Sequence, residues 1–131
     1  MPQHELDPER LPYAPERLPR KDEVEADSFF ALDLRVGRVT EVEPFPQARD
    51  PAWKLSVDFG PEVGTLRTSA KITNYSDAEL VGRLVAGAIN LPPKKIAGFR
   101  SEFLVLGALD PDGTVRLLEL PGDVAPGAPI A

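Results

Sequence analysis

The sequence predicts a small all-β domain in which five strands close into a barrel, with one short helix between the third and fourth strands. Two patterns carry this prediction. Apolar and polar residues alternate along several short segments, which is typical of half-buried strands. Clusters of Gly and Pro separate these segments, as they do between the strands of a sandwich or barrel. The 131 residues are enough for one domain with a buried core.

The first strand is predicted to begin near residue 32, where Leu32, Leu34 and Val36 alternate with polar residues. After Gly37 the alternation changes phase, and a glycine at such a point predicts a β-bulge. A bulge lets a long strand bend, so that one strand can serve both sides of a small barrel.

The second and third strands are predicted over residues 53–59 and 65–72. In the second strand, Trp53 belongs to the strictly alternating apolar face, so it is interpreted as a core residue. Glycines and a proline between the two segments indicate a turn. The opposite, polar face of this hairpin carries four candidate site residues: Lys54, Arg67, Ser69 and Lys71.

The rest of the chain supplies a helix and two more strands. Ser76 and Glu79 form a capping-box pattern, which predicts a short helix that ends at Gly82. An apolar segment at 84–89 predicts a central strand, in which Gly87 allows close packing. Further strands are predicted at 103–106 and 114–120, and the extended tail 121–131 follows. This order is that of a five-stranded OB-fold Greek-key barrel, in which the strand 2–3 face and the neighbouring loops bind oligonucleotides.

The segment 90–102 carries the densest positive charge in the chain. Prolines at 92 and 93 exclude a central strand or a helix there, so the sequence predicts a stiff loop. Its cations, Lys94, Lys95 and Arg100, are interpreted as contacts to backbone phosphates, which give affinity without sequence choice. An ordinary solvated surface is the alternative for any single charged residue on this face.

Five further residues, four in this segment and Arg35 outside it, are candidates for RNA contacts or for structural roles. Asn90 and Ser101 are candidates for a contact to a base edge or a ribose hydroxyl. Phe99 either stacks on a base or plugs the end of the barrel, and Glu102 is a candidate RNA-binding residue, interpreted as a carboxylate that forms hydrogen bonds or fixes the loop. Arg35 is either a further phosphate contact or the ion-pair partner of an acidic neighbour such as Asp33.

These motifs resemble the stand-alone tRNA-binding-domain proteins, most closely the bacterial CsaA-type proteins. The resemblance covers about residues 29–125, and it rests on four segments: Leu32–Gly37, Pro44–Arg49, Thr68–Ile72 and Asn90–Gly107. Arg100 stands where such loops have an apolar residue, often Met. Phe103 and Leu104 stand where the wider family more often has Gly-Met, which favours the CsaA branch.

The resemblance implies a homodimer that binds tRNA without catalysis, with Asn90, Ser101 and the segment 69–71 as favoured site positions. It also implies that the tail helps a partner subunit dock. The alternative that it carries is an export-related chaperone, which binds extended or unfolded polypeptides in a groove of the dimer. In that case Phe45, Trp53 or Phe99 would line the groove.

The net charge of −6 is distributed unevenly. Residues 1–28 hold 8 acidic and 4 basic side chains, and residues 109–131 hold 4 and 1. The middle, residues 29–108, holds 9 acidic and 10 basic side chains. A near-neutral centre with one basic patch is typical of modest, salt-sensitive nucleic-acid binding rather than of a DNA-coating protein.

Catalysis is not expected. The chain has no cysteine, and its single histidine is His4, so a Ser-His pair, a thiolate nucleophile and a His or Cys metal site are absent from the pattern. No glycine-rich phosphate motif is present, and no metal or cofactor is expected.

The chain also lacks an apolar run long enough to span a membrane. A cytoplasmic location is therefore expected.

The N-terminal segment 1–27 is predicted to be an arm separate from the domain 28–131. It holds five prolines, at positions 2, 8, 12, 15 and 19, and many charges, so it has little to bury. A flexible leader is the favoured interpretation. The alternative is an extended arm laid along the domain by Leu11, Tyr13 and Leu18.

Overall fold

The computed structural model describes residues 12–131. The described residues do not include residues 1–11 of the predicted arm, which contain His4, Leu11 and the prolines at 2 and 8. After a 3-10 turn at Pro15–Arg17, the elements are α1 (Ala26–Phe30), β1 (Leu34–Pro44), β2 (Trp53–Asp58), β3 (Thr65–Ala70), α2 (Asp77–Leu80), β4 (Leu84–Ala88), β5 (Lys94–Ile96), β6 (Phe99–Ser101), β7 (Leu104–Val105), β8 (Gly107–Leu109) and β9 (Val115–Leu117).

Five antiparallel strands form the main sheet, in the order β3-β2-β1-β4-β7. Strand β1 pairs with β4 through residues 34–38 and with β2 through residues 38–44, so one bent strand serves both sides of the sheet. The Glu102 amide, just before β7, donates to the Arg67 carbonyl of β3 over 2.8 Å. This hydrogen bond connects the two edge strands of the sheet. The barrel is thus nearly closed, and the prediction of an all-β OB fold is confirmed.

The bulge predicted in β1 after Gly37 is present, but Gly37 itself is not part of it. The register between β1 and β2 shifts between Val39 and Glu41, three residues after Gly37. Gly37 is needed for another reason: a Cβ atom there would lie 2.5 Å from Cγ1 of Val57 and 2.8 Å from the ring of Phe59. The alternation locates a change of phase only to within a few residues, so the glycine was the wrong marker.

The core of the barrel is centred on Phe59, which is 1% exposed. Its ring packs edge-on against Phe103, with ring centroids 4.9 Å apart. A Cβ atom on Gly87 would lie 2.9 Å from Phe59, so the predicted close packing at this glycine is confirmed. Trp53 also packs against the core, and its indole nitrogen donates to the Tyr75 carbonyl over 3.0 Å, which confirms its interpretation as a core residue.

The predicted helix is confirmed as α2, between β3 and β4. The Ser76 hydroxyl accepts from the Glu79 amide over 3.2 Å, and the Glu79 carboxylate accepts from the Ser76 amide over 2.9 Å. This hydrogen bond to the Ser76 backbone holds the pKa of Glu79 below its ordinary value. The capping box therefore exists in both directions.

Two predictions for the segment after β4 are corrected. The predicted loop 90–102 contains a hairpin, β5–β6, whose turn residues Ala97 and Gly98 both have positive φ. The last strand is also shorter than predicted. Only Val115–Leu117 forms β9, because its partner β8 offers just three residues for pairing. The strand predicted at 103–106 is present as the two-residue β7.

Both ends of the described chain lie against the barrel. The Val36 amide donates to the Ala128 carbonyl, and the Ile130 amide donates to the Leu34 carbonyl, so the tail adds to the edge of β1. Tyr13 is buried, and its amide donates to the Pro111 carbonyl over 2.8 Å.

In the described part of the chain, no helix is long and apolar enough to cross a membrane.

Candidate nucleic-acid interface

An open cleft of about 490 Å³ lies on the face predicted to bind oligonucleotides. One wall is the β1–β2 loop (residues 45–52), the floor is the end of β3, and the other wall is the tip of the β5–β6 hairpin. The lining residues are Gln47, Ala48, Arg49, Asp50, Ala52, Ser69, Lys71, Ile96 and Ala97. The equivalent face and loops of OB folds bind oligonucleotides.

A small apolar cluster beneath the cleft joins the loop to the hairpin. It consists of Phe45, Ala52 and Phe99, with Ala48 and Ile96 packed against it. The Phe45 and Phe99 rings meet edge-on, with their centroids 5.5 Å apart. Phe99 is only 9% exposed and packs within this cluster, so it offers no stacking platform at the surface.

Two cations lie over this cluster. The Lys54 ammonium is 4.7 Å from the centroid of the Phe45 ring, and the Arg67 guanidinium is 4.9 Å from the centroid of the Phe99 ring. A ring face attracts a cation at this range, so the buried rings hold both charges at the surface. Arg67 also forms an ion pair with Glu43 over 2.9 Å.

Lys71 lies at the end of β3, where its ammonium is 3.1 Å from the Asp50 carboxylate. The Arg49 guanidinium is 4.0 Å from the same oxygen. The hydrogen bond from Lys71 and the charges of both cations hold the pKa of Asp50 below its ordinary value. Lys71 therefore links the floor of the cleft to the wall formed by the β1–β2 loop.

The hairpin presents two further cations. Lys95 and Arg100 are directly opposite each other on β5 and β6, and both are exposed. Like charges in opposed positions destabilise a strand pair, and an anion bound between them would relieve that cost. Within residues 12–131, the ion pairs do not include either residue. Lys94 is opposite Ser101 and is half-buried.

Two predicted ligand residues have structural roles instead. Ser101 is fully buried, and its hydroxyl accepts from the Ser69 amide over 3.2 Å and lies 3.0 Å from the Thr68 hydroxyl. A ribose or a base edge cannot reach it, so its interpretation as a contact is wrong. Glu102 accepts from the Arg67 amide over 3.0 Å, and its interpretation as the carboxylate that fixes this segment is confirmed.

Arg35 and Asn90 lie together, but neither lines the cleft. The Arg35 guanidinium forms an ion pair with Asp33 over 2.6 Å and donates to the Gly127 carbonyl. Of the two interpretations of Arg35, the internal ion pair is therefore the one observed. The Asn90 amide accepts from the Asp33 amide and donates to the Ala31 carbonyl, both over 2.8 Å. These hydrogen bonds hold the segment before β1 and the C-terminal tail in place.

Three polar residues of the cleft were not among the predicted site residues: Gln47, Arg49 and Asp50. A signal for them exists in the sequence, since they are polar residues in a proline-bounded loop beside the binding face of an OB fold. Among residues 12–131, no group of three or more His, Asp or Glu side chains is placed to hold a metal ion.

Comparison with known proteins agrees with this geometry. Residues 34–129 match the family described as "Putative tRNA binding domain". The chain belongs to this family of tRNA-binding domains. The match runs from the start of β1 to the tail that pairs with it, so it includes every strand and the whole cleft.

Relatives of this tRNA-binding domain include methionine–tRNA ligases and CsaA chaperones. The methionine–tRNA ligase of Porphyromonas gingivalis is 37% identical over 112 residues, which are 86% of this chain but 16% of that enzyme. The chain thus spans only a small part of the curated relatives it matches. The solved CsaA chaperone structures from Picrophilus torridus and Bacillus anthracis are 44% and 41% identical, with TM-scores of 0.78 and 0.79. They cover 83% and 84% of this chain and 100% of their own.

Proposed function

We propose that this domain binds tRNA without catalysis, across the cleft and the exposed face of the β5–β6 hairpin. The observation that carries the proposal is the arrangement of cations from separate elements around one cleft: Lys54, Arg67, Lys71, Lys95 and Arg100. Cations spaced along such a face match the spaced phosphates of a nucleic acid. A tRNA partner implies a cytoplasmic location.

The rings of this face support a folded RNA rather than a single strand. OB folds that bind single strands stack bases on exposed aromatic side chains. Here Phe45 and Phe99 are buried, and Lys54 and Arg67 lie over them. The face therefore offers charge without a stacking platform, which suits recognition of an RNA by its shape and its backbone.

Replacing Lys95 and Arg100 together by alanine is expected to weaken tRNA binding about tenfold at low salt. An exposed ionic contact contributes up to about 1 kcal/mol, and two such contacts would be lost. The dependence of log K on log salt should also become shallower by about 2, one for each phosphate contact. Fluorescence anisotropy with labelled tRNA at several salt concentrations measures both quantities.

The matched control is Arg20→Ala with Lys21→Ala, which removes the same two charges from exposed positions before α1. It should leave the salt dependence unchanged. Equal losses in both double variants would show that only net charge matters, and the assignment of the hairpin would then be wrong. Parental affinity of the hairpin variant at every salt concentration would contradict it as well.

The name of the similar CsaA structures supports a second candidate function, the binding of unfolded or exported polypeptides as a chaperone. The groove residues expected for this role, Phe45, Trp53 and Phe99, are buried or packed against the core and cannot line a groove. An apolar surface is present elsewhere, around α1. It comprises Val24, Phe29, Phe30 and Leu32.

We assign this α1 surface to a second copy of the chain in a homodimer. Phe30 and Val24 are each 70% exposed, and the Phe29 ring meets the Phe30 ring edge-on at 5.4 Å. Large apolar side chains exposed to this degree typically mark an interface when they form one patch. A patch that packs against its own copy closes a two-fold dimer.

Phe30→Ser is expected to shift the protein from dimer to monomer at micromolar concentration, since it replaces one of the two most exposed apolar side chains of the patch by a polar one. Sedimentation velocity measures the populations, and Leu118→Ser, at another exposed apolar position, is the control. A monomeric parent protein would contradict the dimer. In that case, binding of a labelled apolar peptide that Phe30→Ser abolishes would favour the chaperone function.

A further inference from the structure

One carboxylate lies among the cations of the cleft. Oδ2 of Asp50 is 3.1 Å from Nζ of Lys71 and 4.0 Å from Nη2 of Arg49, and all three residues line the cleft. The two cations come from different elements, since Arg49 belongs to the β1–β2 loop and Lys71 follows β3. Two cations that converge on one oxygen offer the charge-assisted contacts that a phosphate oxygen also accepts.

We propose that Asp50 occupies a phosphate subsite of the cleft in the free protein, and that a phosphate of bound RNA displaces its carboxylate from Lys71. The inference rests on the proposed function. Asp50 thereby acts as an internal competitor, which lowers the affinity of the cleft for isolated phosphates. It also keeps the Lys71 side chain directed at the subsite until the RNA arrives.

The carboxylate can be displaced because the contact is at the surface. The side chains of Asp50, Lys71 and Arg49 are 48%, 35% and 88% exposed. Exposed ion pairs of this kind are weak, and rotation of a short side chain is enough to break one. The backbone around the subsite is fixed, since Ser69 and Ala70 are paired with Lys54 and Trp53 in the β2–β3 ladder.

Exchange of a carboxylate for a phosphodiester leaves the charge at the subsite nearly unchanged. A single phosphodiester group therefore gains little by displacing Asp50. A folded RNA also places phosphates near Lys95 and Arg100, and those additional contacts favour the exchange. The arrangement thus selects ligands with several phosphates. The pKa of Asp50 is held below its ordinary value by Lys71 and Arg49, so the competitor stays charged near neutral pH.

The test is a double-mutant cycle between Asp50 and Lys71. Asp50→Asn is expected to raise tRNA affinity about two- to fivefold, because a neutral amide holds the ammonium less strongly than a carboxylate. Lys71→Gln should abolish that gain when the two are combined, since the gain acts through Lys71. Asp123→Asn removes an equal charge from an exposed residue that does not line the cleft, and it should have no such effect.

Three results would overturn the inference. They are equal gains from Asp50→Asn and Asp123→Asn, weaker binding by Asp50→Asn, and a gain that persists in the Lys71→Gln background. Failure of the parent protein to bind tRNA at any salt would overturn the proposed function instead. The subsite is then tested with inorganic phosphate. Shifts of the Ser69 and Lys71 amide signals in Asp50→Asn but not in the parent protein support it, and their absence overturns it.

Discussion

Phe59→Ala is expected to destabilise the barrel by about 3–5 kcal/mol, as is usual when a buried aromatic side chain is removed from a core. The ring is 1% exposed and packs edge-on against Phe103. Gly37 and Gly87 approach it so closely that a Cβ atom on either would lie within 3 Å of the ring. Strands β1 and β4 therefore both pack on Phe59, and neither can collapse easily into the cavity that alanine would leave.

Urea unfolding followed by circular dichroism, at one fixed protein concentration, measures this loss. The loss is large against the 5–15 kcal/mol that typically stabilises a domain. Leu118→Ala is the control, because Leu118 is 43% exposed and surface substitutions usually change stability by less than about 0.5 kcal/mol. A loss below about 1 kcal/mol for Phe59→Ala would mean that the core is not centred on this ring.

Thr68→Val is expected to cost about 2–4 kcal/mol without changing the volume of the side chain. The Ser69 amide donates to the Ser101 hydroxyl, which lies 3.0 Å from the Thr68 hydroxyl, and Thr68 donates to the Phe103 carbonyl over 2.7 Å. Thr68 and Ser101 are at most 1% exposed. Valine would leave the Ser101 proton and the Phe103 carbonyl without partners, each at about 1–3 kcal/mol.

The same hydrogen bonds attach the hairpin to β3, so Thr68→Val should also weaken tRNA binding although it removes no charge. Amide hydrogen exchange should accelerate at Ser69 and Glu102, whose amides donate across this junction. Thr65→Val is the matched control, since Thr65 is an exposed threonine at the start of the same strand. Equal stability of the Thr65 and Thr68 variants would show that the junction contributes nothing.

Much of the barrel could be predicted from the sequence, because burial on one face imposes alternation. The segment 53–59 shows this most clearly: Leu55, Val57 and Phe59 are nearly inaccessible, and they are apolar residues that alternate. The capping box of α2 was equally visible, since it depends on residues only three positions apart. The exact position of the bulge was not visible in the sequence. Gly37 stands out there, but it is required because a Cβ atom at this position would clash with the core.

The hairpin β5–β6 could not be predicted from alternation, because its strands have three residues each and carry Lys94, Lys95 and Arg100. The one local signal was Gly98, which follows Ala97 in a turn where both residues have positive φ. Such a turn favours a two-residue hairpin connection. This single glycine is a weaker signal than the two preceding prolines, which indicate a loop.

The sequence could predict which side chains share the polar face beside the cleft where strand position fixes their direction, and could not do so elsewhere. Lys54, Arg67, Ser69 and Lys71 follow from the polar face of one hairpin. Ser101 was misassigned because its burial depends on a contact with β3, 33 positions away in sequence from Thr68. Polar side chains that brace a fold and polar side chains that bind a ligand look alike until such distant contacts are known.

The central claim is that tRNA binds at the cleft and the β5–β6 hairpin, and mapping of amide chemical shifts tests it most directly. Titrating unlabelled tRNA into ¹⁵N-labelled protein should shift the amide signals of residues 47–50, 52, 69–71 and 94–101, and addition of salt should reverse these shifts. The signals of residues 29–32 on the α1 surface should remain in place. Shifts confined to residues 29–32, or no shifts at any salt concentration, would contradict the account.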